Sequence, residues 1–185
     1  MSVKLTDRGQ ALETEFFHQQ DQKAIEALKN KLENKAASEA LSEHIGVGNL
    51  DVVGSLVSNG INVETFAAIK FTPLVLVAWA DNQLDEQERA SILEKAQEKG
   101  VSEDIMKVVG SWMSSKPNSS LKKAWIAFMT EYVQSLEGPQ RNALKAEILG
   151  DSTDVAASSG GFFGFGSISE PEQELIDELS AVFLI

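Results

Sequence analysis

The apolar residues of this chain recur at intervals of three and four, and no stretch alternates them at intervals of two. That period gathers them along one side of a helix, whereas a strand would need every second residue. The expected fold is therefore all-α, a compact helical bundle. A chain of 185 residues with 43% apolar content is long enough to bury one core of ordinary size.

Local signals divide the pattern into helices. Thr6 or Asp7 can cap a first helix running to about His44, along which Leu12, Phe16, Ile25, Leu28, Leu32 and Leu41 fall with gaps that suggest partial burial. Gly46 and Gly48 end it. Asn49 opens a short helix that Asn59-Gly60 closes with a left-handed C-cap. Asn62 caps a third, carrying Phe66, Ile69, Leu74, Val77 and Ala78, and Pro73 predicts a kink or break near Phe71. Asp85 and Glu88 have capping-box spacing, and the helix they begin is expected to bury Ile92, Leu93 and Ala96 before Gly100. Ser102 caps a helix with Ile105, Val108, Val109 and Trp112, and a polar loop over 114–119 leads to a stripe of Leu121, Trp125, Phe128, Met129 and Leu136. Gly138-Pro139 then turns into a helix through Leu144 and Ile148. The tryptophans Trp79, Trp112 and Trp125 all fall on core stripes.

Four segments are expected: an N-terminal amphipathic helix over 1–45, a helical bundle over 46–149, a Gly/Ser-rich linker over 150–168, and a tethered amphipathic helix over 169–185 that Ser169 caps.

Charge narrows the function. Sixteen basic against 28 acidic residues leave a net of −12, which repels phosphate backbones, and the densest basic stretch, Lys29 to Lys35, reads as a solvated helix face. No nucleic-acid partner is expected. With no cysteine, thiolate metal sites and thiol nucleophiles are absent. The N-terminus lacks an apolar run of signal-peptide length, and the longest apolar stretch, Phe71 to Ala80, is roughly half a membrane span. The expectation is a cytoplasmic protein without membrane insertion.

The most distinctive segment runs from Pro73 to Arg89: helix, tight turn, helix, with Asn82 suited to a left-handed turn position. Asp81, Asp85 and Glu88 surround that turn and could hold a hard divalent cation, Ca²⁺ or Mg²⁺, through oxygen ligands. The simpler reading is that Asp85 and Glu88 cap a helix and Asp81 ends the one before it. Laid on an EF-hand loop, Asp81, Gln83, Asp85 and Glu88 match its second half, but Val77 and Trp79 would stand at the first and third ligand positions, so a complete EF-hand is excluded.

The stretch Ala78-Trp79-Ala80-Asp81-Asn82-Gln83-Leu84-Asp85-Glu86-Gln87-Glu88-Arg89 resembles the acidic-turn signature of TerB-like domains, the family of tellurite-resistance TerB and of a domain in DjlA-type co-chaperones. The likeness covers roughly 63–149 and implies a compact helical bundle whose acidic turn binds a metal or partners. Asn82 replaces the usual turn glycine, and the second acidic turn often found in the family is missing from Leu136-Glu137-Gly138-Pro139-Gln140. A shorter likeness lies at the N-terminus, where Asp7, Arg8, Ala11, Glu13, Phe16 and His18 resemble the opening of bacterial F1-ATPase inhibitor (zeta) subunits; an ordinary amphipathic helix also explains them.

Other chemistry finds little footing. His18 and His44 lie far apart without a serine or carboxylate companion in sequence, so no catalytic residue is assigned. The run Gly160 to Gly166 lacks the Lys-Ser/Thr of a phosphate-binding loop. Its phenylalanines Phe162, Phe163 and Phe165 could dock into a partner or pack on the bundle, and Phe16 and Phe17 are further candidate contacts. The expected function is a non-enzymatic interaction module with Asp81, Asp85 and Glu88 as its cation or partner site. The alternative is a protein-binding regulator that uses the first helix or the Phe-rich tail. A metal-dependent hydrolase is a third class, short of ligands and of a nucleophile.

Overall fold

The computed structural model describes residues 5–159 and 168–184, with side chains at 22, 23 and from 25 onward within those bounds. The chain is all-α, and no strand occurs among the described residues. Helix α1 spans Leu5–Ile45 and ends where Gly46 turns left-handed at φ 72°. Helix α2, Leu50–Val57, starts at Asn49, whose side chain accepts from the Val52 amide. It closes at Asn59-Gly60, where Gly60 has φ 87° and Ile61 N–H returns to the Leu56 carbonyl at 3.1 Å. Asn62 and Thr65 exchange hydrogen bonds and lead into a single 3-10 turn, Phe66–Lys70. The chain breaks at Phe71, as Pro73 predicts, and helix α3 follows over Thr72–Ala78 with that proline in its first turn.

Every residue of α3 is buried. A helix apolar on all sides has no solvent face to present and becomes the centre of the packing. Around it lie α4 (Glu86–Glu98), α5 (Glu103–Ser114), α6 (Ser119–Tyr132) and α7 (Gly138–Ser158). Trp125 of α6 is fully buried and donates its indole N–H to the Ile69 carbonyl at 2.9 Å. Trp79, half-buried at the end of α3, donates to the Trp112 carbonyl at 3.1 Å. Each bond supplies a partner for a polar atom that the core would otherwise leave unmatched.

The structure corrects two boundaries. The helix expected to stop before Gly150 continues to Ser158, so residues 150–158 are not linker. Ile148, Ser152, Val155 and Ala156 keep helical spacing, and all four are buried. Their small side chains read as linker composition, yet small size is what lets this stretch lie close against the core. On the polar side, Asp151 pairs with Lys95 and Lys99 at 3.1 and 2.9 Å, tying α7 to α4. Helix α8, Glu170–Ser180, is likewise no tethered appendage: it packs on α3 and α7, and Ile176, Leu179, Val182 and Phe183 join the same core.

Leu93 is a third correction. It is 40% exposed, because the inward line of α4 is Glu88, Ile92 and Ala96, residues spaced by four. Leu93 lies about 100° further round the helix, at the rim.

Candidate functional site

The acidic turn forms as its residues suggest. After α3 the Asn82 amide bonds the Trp79 carbonyl at 3.1 Å, and Asn82 adopts φ 72°. Asp81 Oδ1 accepts the Gln83 amide at 2.9 Å. Asp85 Oδ1 accepts the Glu88 amide at 2.9 Å, while Glu88 Oε2 accepts the Asp85 amide at 3.0 Å, completing the capping box of α4. Lys116 reaches across from the α5–α6 loop to Asn82 Oδ1 at 2.6 Å. The three carboxylates therefore serve backbone amides and do not converge on a common point. Among the described residues no three His, Asp or Glu side chains gather as a metal-holding group. Asp81, Asp85 and Glu88, the residues expected for Ca²⁺ or Mg²⁺, are held by backbone amides of the turn and of the first turn of α4.

Glu88 points inward and is only 3% exposed. There it meets Glu172, 4% exposed, which holds the third position of α8 and accepts the Ser169 amide at 2.6 Å. Two capping-box glutamates, from helices distant in sequence, thus share a hydrogen bond in the interior. Burial drives the Glu88 carboxyl up to about 8, the Asp85 amide partly opposes this, and the Glu172 bond with the charges of Asp85 and Glu172 raises it again. Burial and the neighbouring Glu172 thus favour the protonated form of the Glu88 carboxyl. The adjacent Ser169 Oγ is buried and unpartnered. Both glutamates stand in the first turn of their helices, so the positive dipole ends of α4 and α8 lie at this spot. Neither glutamate lines a principal cavity. The acid with the raised pKa and the clefts of the surface stand apart, and the pair joins the starts of α4 and α8.

The concave surface lies elsewhere. A cleft of about 400 Å³ opens beside Trp79, between Lys116, Lys122, Pro171, Leu175 and Glu178, with Lys122 and Glu178 paired at 2.9 Å. A larger groove of about 890 Å³ runs between α1, α2 and α6. Lys31, Lys35, Asp51 and Lys123 are its charged lining residues.

That groove exists because α1 leaves the bundle. Ser38 and Leu41 are buried, but from residue 22 to 36 every described side chain is exposed. Ile25, Leu28 and Leu32 are 68%, 59% and 60% exposed although they follow one another at helical spacing. The partial burial expected of this stripe takes the form of a divide among the described residues: Leu41 is buried at the bundle end, and Ile25, Leu28 and Leu32 are not. Of the expected partner contacts, Phe16 and Phe17 lie on α1 but their side chains are outside the described set, and Phe162, Phe163 and Phe165 are outside the described residues.

Compared with protein-family models, curated proteins and solved structures, the chain matches none. Among the described residues no helix is long and apolar enough to cross a membrane.

Two features escape a reading of the sequence. The spacing of Ser169 and Glu172 is that of a capping box, which finds the cap but not its meeting with Glu88. Nothing local places Lys123 opposite Lys31 and Lys35.

Proposed function

We infer that this chain is a non-enzymatic interaction module, TerB-like in its acidic turn, that engages a protein partner through α1. One observation carries the reading: three large apolar side chains, Ile25, Leu28 and Leu32, stand exposed on a helix segment that no other described residue covers. A soluble domain gains nothing from exposing such a stripe, and removing each side chain from water would contribute roughly 1.5–3 kcal/mol. The cation role that the resemblance implies draws no support from the turn, whose carboxylates already cap helices.

The test is affinity capture with the full chain, comparing wild type with an Ile25→Ser, Leu28→Ser, Leu32→Ser variant. These positions are exposed, so the variant is expected to keep its circular dichroism and Tm. A partner held by wild type and lost by the variant supports the reading. Equal capture by both sinks it.

A further inference from the structure

We propose that the groove between α1, α2 and α6 receives an acidic amphipathic helix of the partner protein, an inference that rests on the interaction reading above and names the chemistry of what binds. Three apolar residues do not by themselves overcome the cost of association, which falls on any complex before its contacts are counted. The rest of the contact must come from surface next to the stripe, and that surface is this groove.

Its charge runs against the molecule. A chain with a net of −12 lines this groove of about 890 Å³ with three lysines and one aspartate. Among the described residues Lys31 and Lys123 make no ion pair, and Lys35 has only a 3.8 Å contact with Glu39 along its own helix. Elsewhere Lys70, Lys95, Lys99 and Lys122 bond carboxylates on another helix, and Lys116 bonds the Asn82 amide oxygen. Cations left over in a concavity of an acidic protein mark where opposite charge is to arrive.

The shape and the apolar edge agree. One wall is the face of α1 that carries Lys31, Asn34 and Lys35, the other is the start of α2, and Gly54, Ala124 and Ala127 leave the floor shallow and uncrowded. Helical spacing sets Leu28 beside Lys31 and Leu32 beside Lys35 on α1. Leu50, 46% exposed, supplies an apolar contact on the α2 side. A helix laid along α1 would set its own apolar stripe on Leu28, Leu32 and Leu50 while its flanking carboxylates meet Lys31, Lys35 and Lys123. A nucleic acid fits less well, because its bases offer no apolar helix face for that stripe and its backbone would meet the acidic surface beyond the groove.

The probe is a fluorescein-labelled designed helix with leucine along one face and glutamate elsewhere, set against a counterpart with lysine in place of glutamate. Both are titrated by fluorescence anisotropy into the full chain and into a Lys31→Glu, Lys35→Glu, Lys123→Glu variant whose circular dichroism and Tm match wild type. The acidic peptide should bind despite the net negative charge, weaken as salt is raised, and lose about tenfold or more in affinity to the variant. Equal binding of the two peptides, no loss on charge reversal, or displacement of the acidic peptide by a single-stranded oligonucleotide overturns the inference. The two readings fail separately in partner capture. If the serine variant loses the partner and the charge-reversed chain keeps it, the acidic-helix inference falls and the α1 reading stands; if neither loses it, the α1 reading itself falls.

Discussion

Glu88 and Glu172 meet by their carboxyl groups in the interior, each closing a capping box at the start of its own helix. The contact makes the start of α8 answerable to the start of α4, and it favours the protonated form of the Glu88 carboxyl. An unfolded chain gives up that proton near the ordinary value of 4.5, the folded one near 8.

The sign of the pH dependence follows. Between those values the folded state binds the extra proton, so stability declines as pH rises through the window and levels off above it. We expect the Tm at about pH 9 to lie below that at about pH 6, a range in which ordinary carboxylates are already ionised. Glu88→Gln, which keeps an oxygen for the Asp85 amide and an N–H for Glu172, should flatten that dependence and stabilise the protein on the alkaline side. Calorimetric melts of both proteins across pH decide it. An identical slope in wild type and variant would remove the shared proton from the explanation.

The acidic turn yields a separate expectation. If Asp85 is a cap, Asp85→Ala should cost about 0.5–2 kcal/mol in denaturant unfolding. Ca²⁺ and Mg²⁺ should give no saturable heat with wild type at micromolar concentration. Saturable binding abolished by Asp81→Ala would instead make the turn a ligand site.

The extension of α7 can be tested at Asp151, which takes Lys95 of α4 and Lys99 at its C-cap while Glu147 takes Lys99 and Lys70. Burial alone would push both carboxyls up, but the bonds from these lysines more than offset it and hold both below their usual values. The pairs are only partly exposed and interlinked, so Asp151→Ala should cost about 1–2 kcal/mol, above the range for isolated surface pairs. In melts this lowers Tm by about 2–8 °C, and added salt should narrow the gap. The pairs' contribution is present above the ordinary carboxylate values and fades as pH falls through the lowered ones. A Tm unchanged by Asp151→Ala would indicate that residues past Gly150 are not docked on α4.

Much of this architecture was legible because its causes are local. Asn82 tolerates a left-handed turn, Pro73 breaks the chain at Phe71, and Asp85 with Glu88 closes a capping box; each depends on residues within a few positions. The same short reach explains the failures. Gly150, Ser152 and Ala156 look like linker residues until the core they pack against is known. Leu93 was expected inside because it is leucine, while Glu88 took the inward position because Ile92 and Ala96 define that line.

The sequence by itself determined the helices and their ends, through period, caps and turn residues whose energies act over one or two turns. Tertiary structure decided which faces those helices buried. It brought Glu88 to Glu172 and Lys123 to the groove of Lys31 and Lys35, and among the described residues it left Ile25, Leu28 and Leu32 uncovered. The physical reason is that periodicity specifies that a side chain needs a neighbour, and only packing between distant segments specifies whether it has one.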